Sequence, residues 1–260
     1  MTKCVVCGAT MEFSFRATVL GKYDAAYLRC ADCGFLQADQ PHWLEEAYGD
    51  AIADADTGLA QRNLSIAARL APLLYFGFAR HGTYVDVAGG YGLLARLMRD
   101  LGFDFFWEDK YCRNLFARGF ESAHAAVPAT AVTAFEVMEH LPDPVAFVAS
   151  AMEKFATKTL IFTTELYPES GVPPVDWWYY AFNTGQHVSF FQKRTLARIA
   201  AALGVRVVSM HGLHVFTDQP IKHELLVRLL TSPAAAPVAL YVRSRLGSKT
   251  VSDHQLRLGS

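Results

Sequence analysis

The chain has no apolar run near the roughly 18 residues that a membrane-spanning helix needs, and its opening residues, MTKCVVCG, contain no apolar core of a secretory signal. A cytoplasmic location without membrane insertion is the expectation. Charge of one sign is also lacking: 24 Lys and Arg stand against 25 Asp and Glu, leaving -1. The basic footprint of a nucleic-acid binder is therefore missing, and RNA becomes a remote substrate. Internal repeats and low-complexity tracts are absent. Cysteine is scarce, five in 260 residues, yet four of the five fall in two pairs. With 52% apolar residues the chain can bury one full core and a small appendage.

The two cysteine pairs are Cys4-Val5-Val6-Cys7-Gly8 and Cys30-Ala31-Asp32-Cys33-Gly34. Each C-x-x-C turn lets two thiolates converge, the following glycine relieves the backbone, and two such turns complete a tetrahedral four-sulfur shell for Zn2+. A closed shell has no position open to water or substrate, so this zinc is expected to be structural. Two disulfides fit poorly with a cytoplasmic chain. A stretch of β-prone residues between the knuckles predicts a hairpin. Cys112 stands apart and reads as an ordinary thiol on a helix.

Residues 83–102, TYVDVAGGYGLLARLMRDLG, read as a strand, a glycine-rich turn and an amphipathic helix, which is the form of a nucleotide-cofactor cradle. Gly90-x-Gly92-x-x-Ala95 also fits the dinucleotide fingerprint, so a dehydrogenase competes at this turn. Charge separates the two. A pyrophosphate would rest on the helix N-terminus, where Asp86 repels it; S-adenosylmethionine carries a sulfonium and no phosphate, and tolerates the acid. Beyond the second strand, Glu108 and Asp109 lie where an acid should meet the ribose hydroxyls, Asp109 being favoured. A third landmark, AVTAFEVMEHLPDP, is a strand ending in Glu136, Glu139 and His140, whose last two residues read equally as loop caps or as part of a site.

The spacing Asp86-x-x-x-Gly90-x-Gly92 resembles motif I of the class I methyltransferases, with Ala88 where the family has its first glycine. Asp109 matches the family's ribose-binding acid, and the Glu136 to His140 segment resembles the one that borders the cofactor. The resemblance implies S-adenosylmethionine held by Asp86, Ala88, Gly89, Gly90, Gly92, Asp109 and Glu136. It also implies an α/β fold, a Rossmann-like doubly wound, mostly parallel sheet, here preceded by a zinc-ribbon module. The expected organisation is a zinc module over 1–45, a helical bridge over 46–80, the methyltransferase core over 81–217, and a C-terminal helix with a frayed tail over 218–260. Within the core, elements are predicted at 83–88, 92–101, 103–107, 111–118, near 120, 131–136, 145–155 and 159–165, followed by the helix 193–203 and strands at 205–210 and 213–217. Tyr48, Arg62 and Asn63 on the bridge are candidates for folding over the cofactor.

Ligands of such sheets bind beyond the carboxyl ends of the strands, which directs attention to the loop between Glu165 and Gln192. Trp177, Trp178, Tyr179, Tyr180, Phe182, Phe190 and Phe191 crowd that loop, either as a surface for sugar rings or as packing. Transfer to a hydroxyl needs a proton acceptor, and His187 leads, with His140 and Glu165 in reserve. The segment QHVSFF resembles one in bacterial sugar methyltransferases that also carry a four-cysteine module. In the deoxysugar C-methyltransferases its histidine is the proposed base, matching His187, while Gln186 replaces the neighbouring acid. Those enzymes also continue into a further domain that 260 residues cannot hold. The expectation is O-methylation of a sugar or glycan hydroxyl, on a nucleotide sugar or a surface polysaccharide, with possible contact to glycan-assembly enzymes. Deoxysugar C-methylation, an inactive scaffold and RNA methylation are the alternatives.

Overall fold

The computed structural model describes residues 2–49, 57–232 and 234–259. Among the described residues, ten strands form two sheets. The larger is built from β4 (Thr83–Val87), β5 (Asp104–Glu108), β6 (Ala131–Ala134), β7 (Leu160–Thr163), β9 (Arg206–Met210) and β10 (Leu213–Thr217), in the order β5-β4-β6-β7-β10-β9. The pairs β4 with β5, β4 with β6 and β6 with β7 are parallel, and β10 runs antiparallel to both β7 and β9. Its strands are short and apolar on both faces, as a sheet covered on two sides requires.

One face is covered by α2 (Leu59–Pro72), α3 (Leu93–Asp100) and α7 (Ala236–Leu246), which bury Leu70, Leu94, Met98 and Val242 against Tyr84, Phe105, Ile161 and Val215. The opposite face is covered by α4 (Pro144–Lys154) and α5 (Lys193–Ala202), which bring Val148, Leu196 and Ile199 onto Val85, Val132, Leu160 and Phe216. Each of these two helices has a local start signal. Asp143 accepts from the Ala146 amide ahead of Pro144, and Gln192 and Thr195 form a reciprocal capping box. The chain leaves β4 in one direction for β5 and returns across it to β6, so the strand order reverses between β4 and β6. That reversal opens a crevice at the carboxyl ends of these strands.

The smaller sheet is β1 (Met11–Val19), β2 (Tyr23–Cys30), β3 (Leu36–Ala38) and β8 (Ser189–Phe190), in that order. The predicted hairpin between the knuckles is β1 and β2. The fourth strand comes from the other end of the core: Leu36 pairs with Phe190 and Gln37 with Ser189. The knuckles are therefore bound into the rest of the chain. Cys4, Cys30, Cys33 and Phe35 share a core with Phe191 and α5, Thr195 donates to the Cys33 carbonyl at 2.7 Å, and Tyr167 donates to that of Gly34.

Two expectations are corrected. Residues 111–118 form turns, not a helix, so Cys112 lies on a bend. The Asn114 carbonyl oxygen of the side chain accepts from the Ala117 amide, and the Leu115 and Phe116 amides donate to Tyr91, which fastens this stretch to the glycine turn in place of an intrahelical ladder. The tail after Arg245 is not frayed: α8 (Thr250–Leu258) docks through Asp253. In the stretch expected as a bridge, α2 runs on into a wider π-type turn, Leu73–Gly77, with Ile66, Leu70, Leu73 and Leu74 buried; residues 50–56 lie outside the described residues.

Asp253 takes two hydrogen bonds from Arg99, at 2.8 and 2.7 Å, and lies 2.9 Å from Arg96, while the Arg99 guanidinium covers the Phe120 ring at 3.6 Å. Burial raises the Asp253 carboxyl, but Arg99 and Arg96 outweigh it and hold the group below the usual range. Its stabilisation is therefore present at neutral pH and lost as pH falls through that lowered value. Asp253→Ala strands a buried guanidinium and is expected to cost about 3–5 kcal/mol. Urea unfolding checks this; a midpoint equal to wild type would mean the tail adds nothing.

Candidate functional site

The crevice between β4 and β6 holds most of the residues singled out for the cofactor. Asp86, at the end of β4, is buried and accepts from the Thr133 hydroxyl of β6 at 2.6 Å. Burial pushes its carboxyl up to about 7, with Asp109 adding to the rise and Thr133 opposing it. It lies beneath the turn, where a Cβ on Gly89 would come within 2.8 Å of its Oδ2. Gly90 (φ 54) and Gly92 (φ 86) take left-handed backbone. A Cβ on Gly92 would strike the Asn114 side chain at 2.9 Å, whereas a Cβ on Gly90 would meet nothing within 4 Å, so the Cα face of Gly90 is uncovered.

Ala88 is the departure from the glycine pattern, and its φ of 59 explains the pattern itself. The chain leaves the strand through a left-handed residue, the conformation glycine adopts freely and alanine at a cost of about 1–2 kcal/mol. Ala88 is exposed. Ala88→Gly removes that strain and is offset by about 0.4–1 kcal/mol for the freer unfolded chain, so a net gain between zero and about 1.6 kcal/mol is expected. A lower denaturation midpoint than wild type would contradict the strain account.

Asp109 is tied to the turn: Oδ2 accepts from the Gly90 amide at 2.9 Å and Oδ1 from the Tyr111 and Cys112 amides at 2.7 Å each. Trp107 donates to the Gly90 carbonyl from below. Glu108 points into a different set of contacts, accepting from Ser122 and Lys154 at 2.6 Å each. A carboxylate already occupies the Gly90 amide that a pyrophosphate would need, which extends the charge argument for a phosphate-free cofactor. The left-handed turn, the uncovered Cα face of Gly90 and the adjoining acid fit S-adenosylmethionine. Glu136 follows β6 in left-handed backbone (φ 54); it is exposed, accepts from Thr163 at 2.7 Å and lies 4.0 Å from Arg62 of the bridge. Asn63 donates to Leu59 within its own helix. Tyr48 stacks on Tyr111, 5.8 Å between centroids and 11° between planes, and stands 6.1 Å from His140.

Tyr48 thus joins the cofactor turn to a second cluster. Val188 donates to the Glu139 carbonyl at 2.8 Å and Ser189 to that of Leu141 at 2.6 Å, which seats the QHVSFF segment on the MEHL turn. His187 and His140 then meet edge to face, centroids 4.8 Å apart. One donor atom from each of Glu139, His140 and His187 lies within 4.8 Å of the others. The sequence leaves Glu139 and His140 equally readable as loop caps or as part of a site, and does not foresee their convergence with His187.

Tautomers follow from the partners. His187 Nδ1 lies 2.6 Å from the Tyr179 carbonyl; a carbonyl can only accept, so Nδ1 carries the hydrogen and Nε2 keeps the lone pair. Burial holds this imidazole below its usual value, against the opposing Tyr179 hydrogen bond and the Glu136 charge. His140 is pushed down to about 3 by burial and then by His187. Glu139 is fully buried and pushed up to about 8, by burial first and the Glu136 charge second. Neither of its carboxylate oxygens has a close hydrogen-bond partner, nor does His140 Nδ1. Glu165 is exposed at the mouth of the loop, its amide donating to the Tyr179 hydroxyl at 3.0 Å.

The aromatics of this loop are chiefly packing. Tyr179, Tyr180, Phe190 and Phe191 are buried, and Tyr180 and Phe182 join Phe15 and Tyr27 of the small sheet. Trp178 is the exception, 74% exposed. At the knuckles, Cys4 and Cys33 sulfurs are 3.6 Å apart and Cys7 and Cys30 sulfurs 3.4 Å, with all four inside 4.8 Å. Disulfides would need about 2.05 Å. A tetrahedral zinc with bonds near 2.3 Å would hold sulfurs about 3.8 Å apart, so the four thiols fit that ion.

A family model described as a methyltransferase domain matches residues 59–210, more than half of the chain. The chain belongs to this family of methyltransferase domains. That sets aside the dehydrogenase reading of the turn. No curated protein compared with the chain matches it in sequence. Similar solved structures include TnmH, 19% identical with a TM-score of 0.48, over 68% of this chain and 60% of that one. An O-methyltransferase family 2 protein from Planctomyces limnophilus, in complex with apigenin, is 17% identical with a TM-score of 0.46, over 66% and 64%. CalO1, a methyltransferase in calicheamicin biosynthesis with S-adenosylhomocysteine bound, is 15% identical with a TM-score of 0.41, over 69% and 67%. The chain thus spans under two thirds of the first two. Among the described residues no helix is long and apolar enough to cross a membrane.

Proposed function

We propose that the chain methylates a hydroxyl of a sugar or glycan, on a nucleotide sugar or a growing surface polysaccharide, with His187 accepting the proton. The observation that carries this reading is the His187 tautomer: Nδ1 is committed to the Tyr179 carbonyl, and Nε2 remains as a lone pair in the cluster joined through Tyr48 to the cofactor turn. S-adenosylmethionine supplies an electrophilic methyl carbon on sulfonium. The chain's part is then alignment, exclusion of water and removal of one proton. Asp86, Ala88, Gly89, Gly90, Gly92, Asp109 and Glu136 would hold the cofactor, and Cys4, Cys7, Cys30 and Cys33 a structural zinc.

The exposed Trp178 offers a flat apolar face to a sugar ring, and the QHVSFF segment supports the same acceptor class. C-methylation of a keto sugar is less favoured because Gln186, in place of an acid, is spent on a hydrogen bond to the Ala47 carbonyl at 2.9 Å. The test has two parts. S-adenosylhomocysteine should bind the zinc-loaded chain by calorimetry, and Asp109→Ala should weaken it at least about tenfold, the loss of one charge-assisted contact. Labelled methyl should then reach a nucleotide-sugar or polysaccharide acceptor in a base-stable linkage. Unchanged binding in Asp109→Ala would remove that residue from the pocket, and label appearing on carbon would replace O- by C-methylation.

A further inference from the structure

We propose that Glu139, His140 and His187 form a second metal site, distinct from the four cysteines, for a divalent first-row transition ion. The strongest observation is what these groups lack. Glu139 is 0% exposed, and neither its carboxylate oxygens nor the covered Nδ1 of His140 has a close hydrogen-bond partner, the Tyr179 and Thr164 hydroxyls reaching the carboxylate only at longer range. A buried carboxyl and a buried ring nitrogen left open side by side are costly in a folded chain and call for a water or an ion. One donor atom from each of the three residues lies within 4.8 Å of the others. Tetrahedral bonds of about 2.0–2.1 Å would draw them to about 3.3 Å, a small closure for side chains.

Ligand chemistry narrows the ion. Two neutral imidazoles and one carboxylate suit zinc, iron(II), cobalt(II) or nickel(II) and offer too few oxygens for calcium or magnesium. Three protein ligands leave positions for water or an acceptor oxygen, unlike the closed four-sulfur shell. The outer support of a metal-bound histidine is present too. The Tyr179 carbonyl takes the Nδ1 hydrogen of His187 and leaves the lone pair on Nε2, the arrangement that fixes the ring of a metal ligand. His140 and His187 are only half-buried, so an ion can enter from their side.

This inference extends the proposed function but stands apart from it. If His187 Nε2 accepts the acceptor's proton, an ion on that nitrogen competes for the same lone pair, and loading the site switches transfer off. The experiment uses the full chain with zinc in its cysteine site, titrated with Co2+. Wild type should take up a further equivalent that shows d–d absorption without a thiolate charge-transfer band. Glu139→Gln, nearly isosteric, should bind it at least about 100-fold more weakly, since even an outer-shell partner is worth 10–100-fold; His187→Ala should do the same. Equal Co2+ uptake by wild type and both variants, or a band arising from thiolate, would overturn the site. The activity arm reports on the base separately: Co2+ that binds and inhibits agrees with His187 as base, whereas Co2+ that binds and accelerates transfer removes that role and leaves the metal site standing.

Discussion

Cys30→Ser, or removal of zinc by a chelator, is expected to lower methyl transfer by at least about 100-fold while leaving S-adenosylhomocysteine binding within about tenfold. A structural zinc contributes on the order of 10 kcal/mol to ordering the segment it closes, and Cys30 stands 3.4 Å from Cys7 in the four-sulfur cluster. The loss should travel along a defined path. Cys30 and Cys33 close the turn between β2 and β3, and β3 pairs through Leu36 and Gln37 with Phe190 and Ser189. His187 lies two residues before Ser189, and a misplacement of 1 Å at a reacting group can cost about 10² in rate. The cofactor turn belongs to the other sheet, with Asp86, Gly90 and Asp109 held by Thr133 and by one another. Activity and cofactor binding should therefore separate. Metal-free chain that keeps full activity would show that the knuckles do not position His187.

The parts legible in the sequence are those whose cause is local. The glycine turn declares itself because left-handed backbone and a helix start need particular residues at particular spacings. The strand β10 (Leu213–Thr217) stands where an apolar run between turn residues puts it. The cysteine pairs show their purpose because chelation demands two close thiols per turn. What escaped depends on partners far away along the chain. Residues 111–118 have helical composition, but Asn114 and the Tyr91 carbonyl draw them into turns against Gly92. The polar tail docks because Asp253 finds Arg99, and nothing local predicts that pairing. Glu139 reads equally as a loop cap or a site residue until β8 is laid across the MEHL turn and encloses it.

The same enclosure orders the three candidates for the base, and truncating each should give a different result. His187→Ala is expected to lower kcat by about 10²–10⁴, the range for one general base, or about 3–5.5 kcal/mol at 1.36 kcal/mol per tenfold. S-adenosylhomocysteine binding should hold, since His187 bonds to the Tyr179 carbonyl and not to the glycine turn. Glu165 is exposed, so Glu165→Ala should change kcat by less than about tenfold. His140 packs on both His187 and Tyr48, and its loss should fall between the two by loosening the ring that faces it. Added imidazole offers a readout that a structural role would not move, because a small base can enter the space left in His187→Ala and take the proton there. Rescue in His187→Ala and none in His140→Ala would assign proton transfer to His187. Equal loss in both variants with rescue of neither would make the pair a packing unit and move the base elsewhere in the crevice.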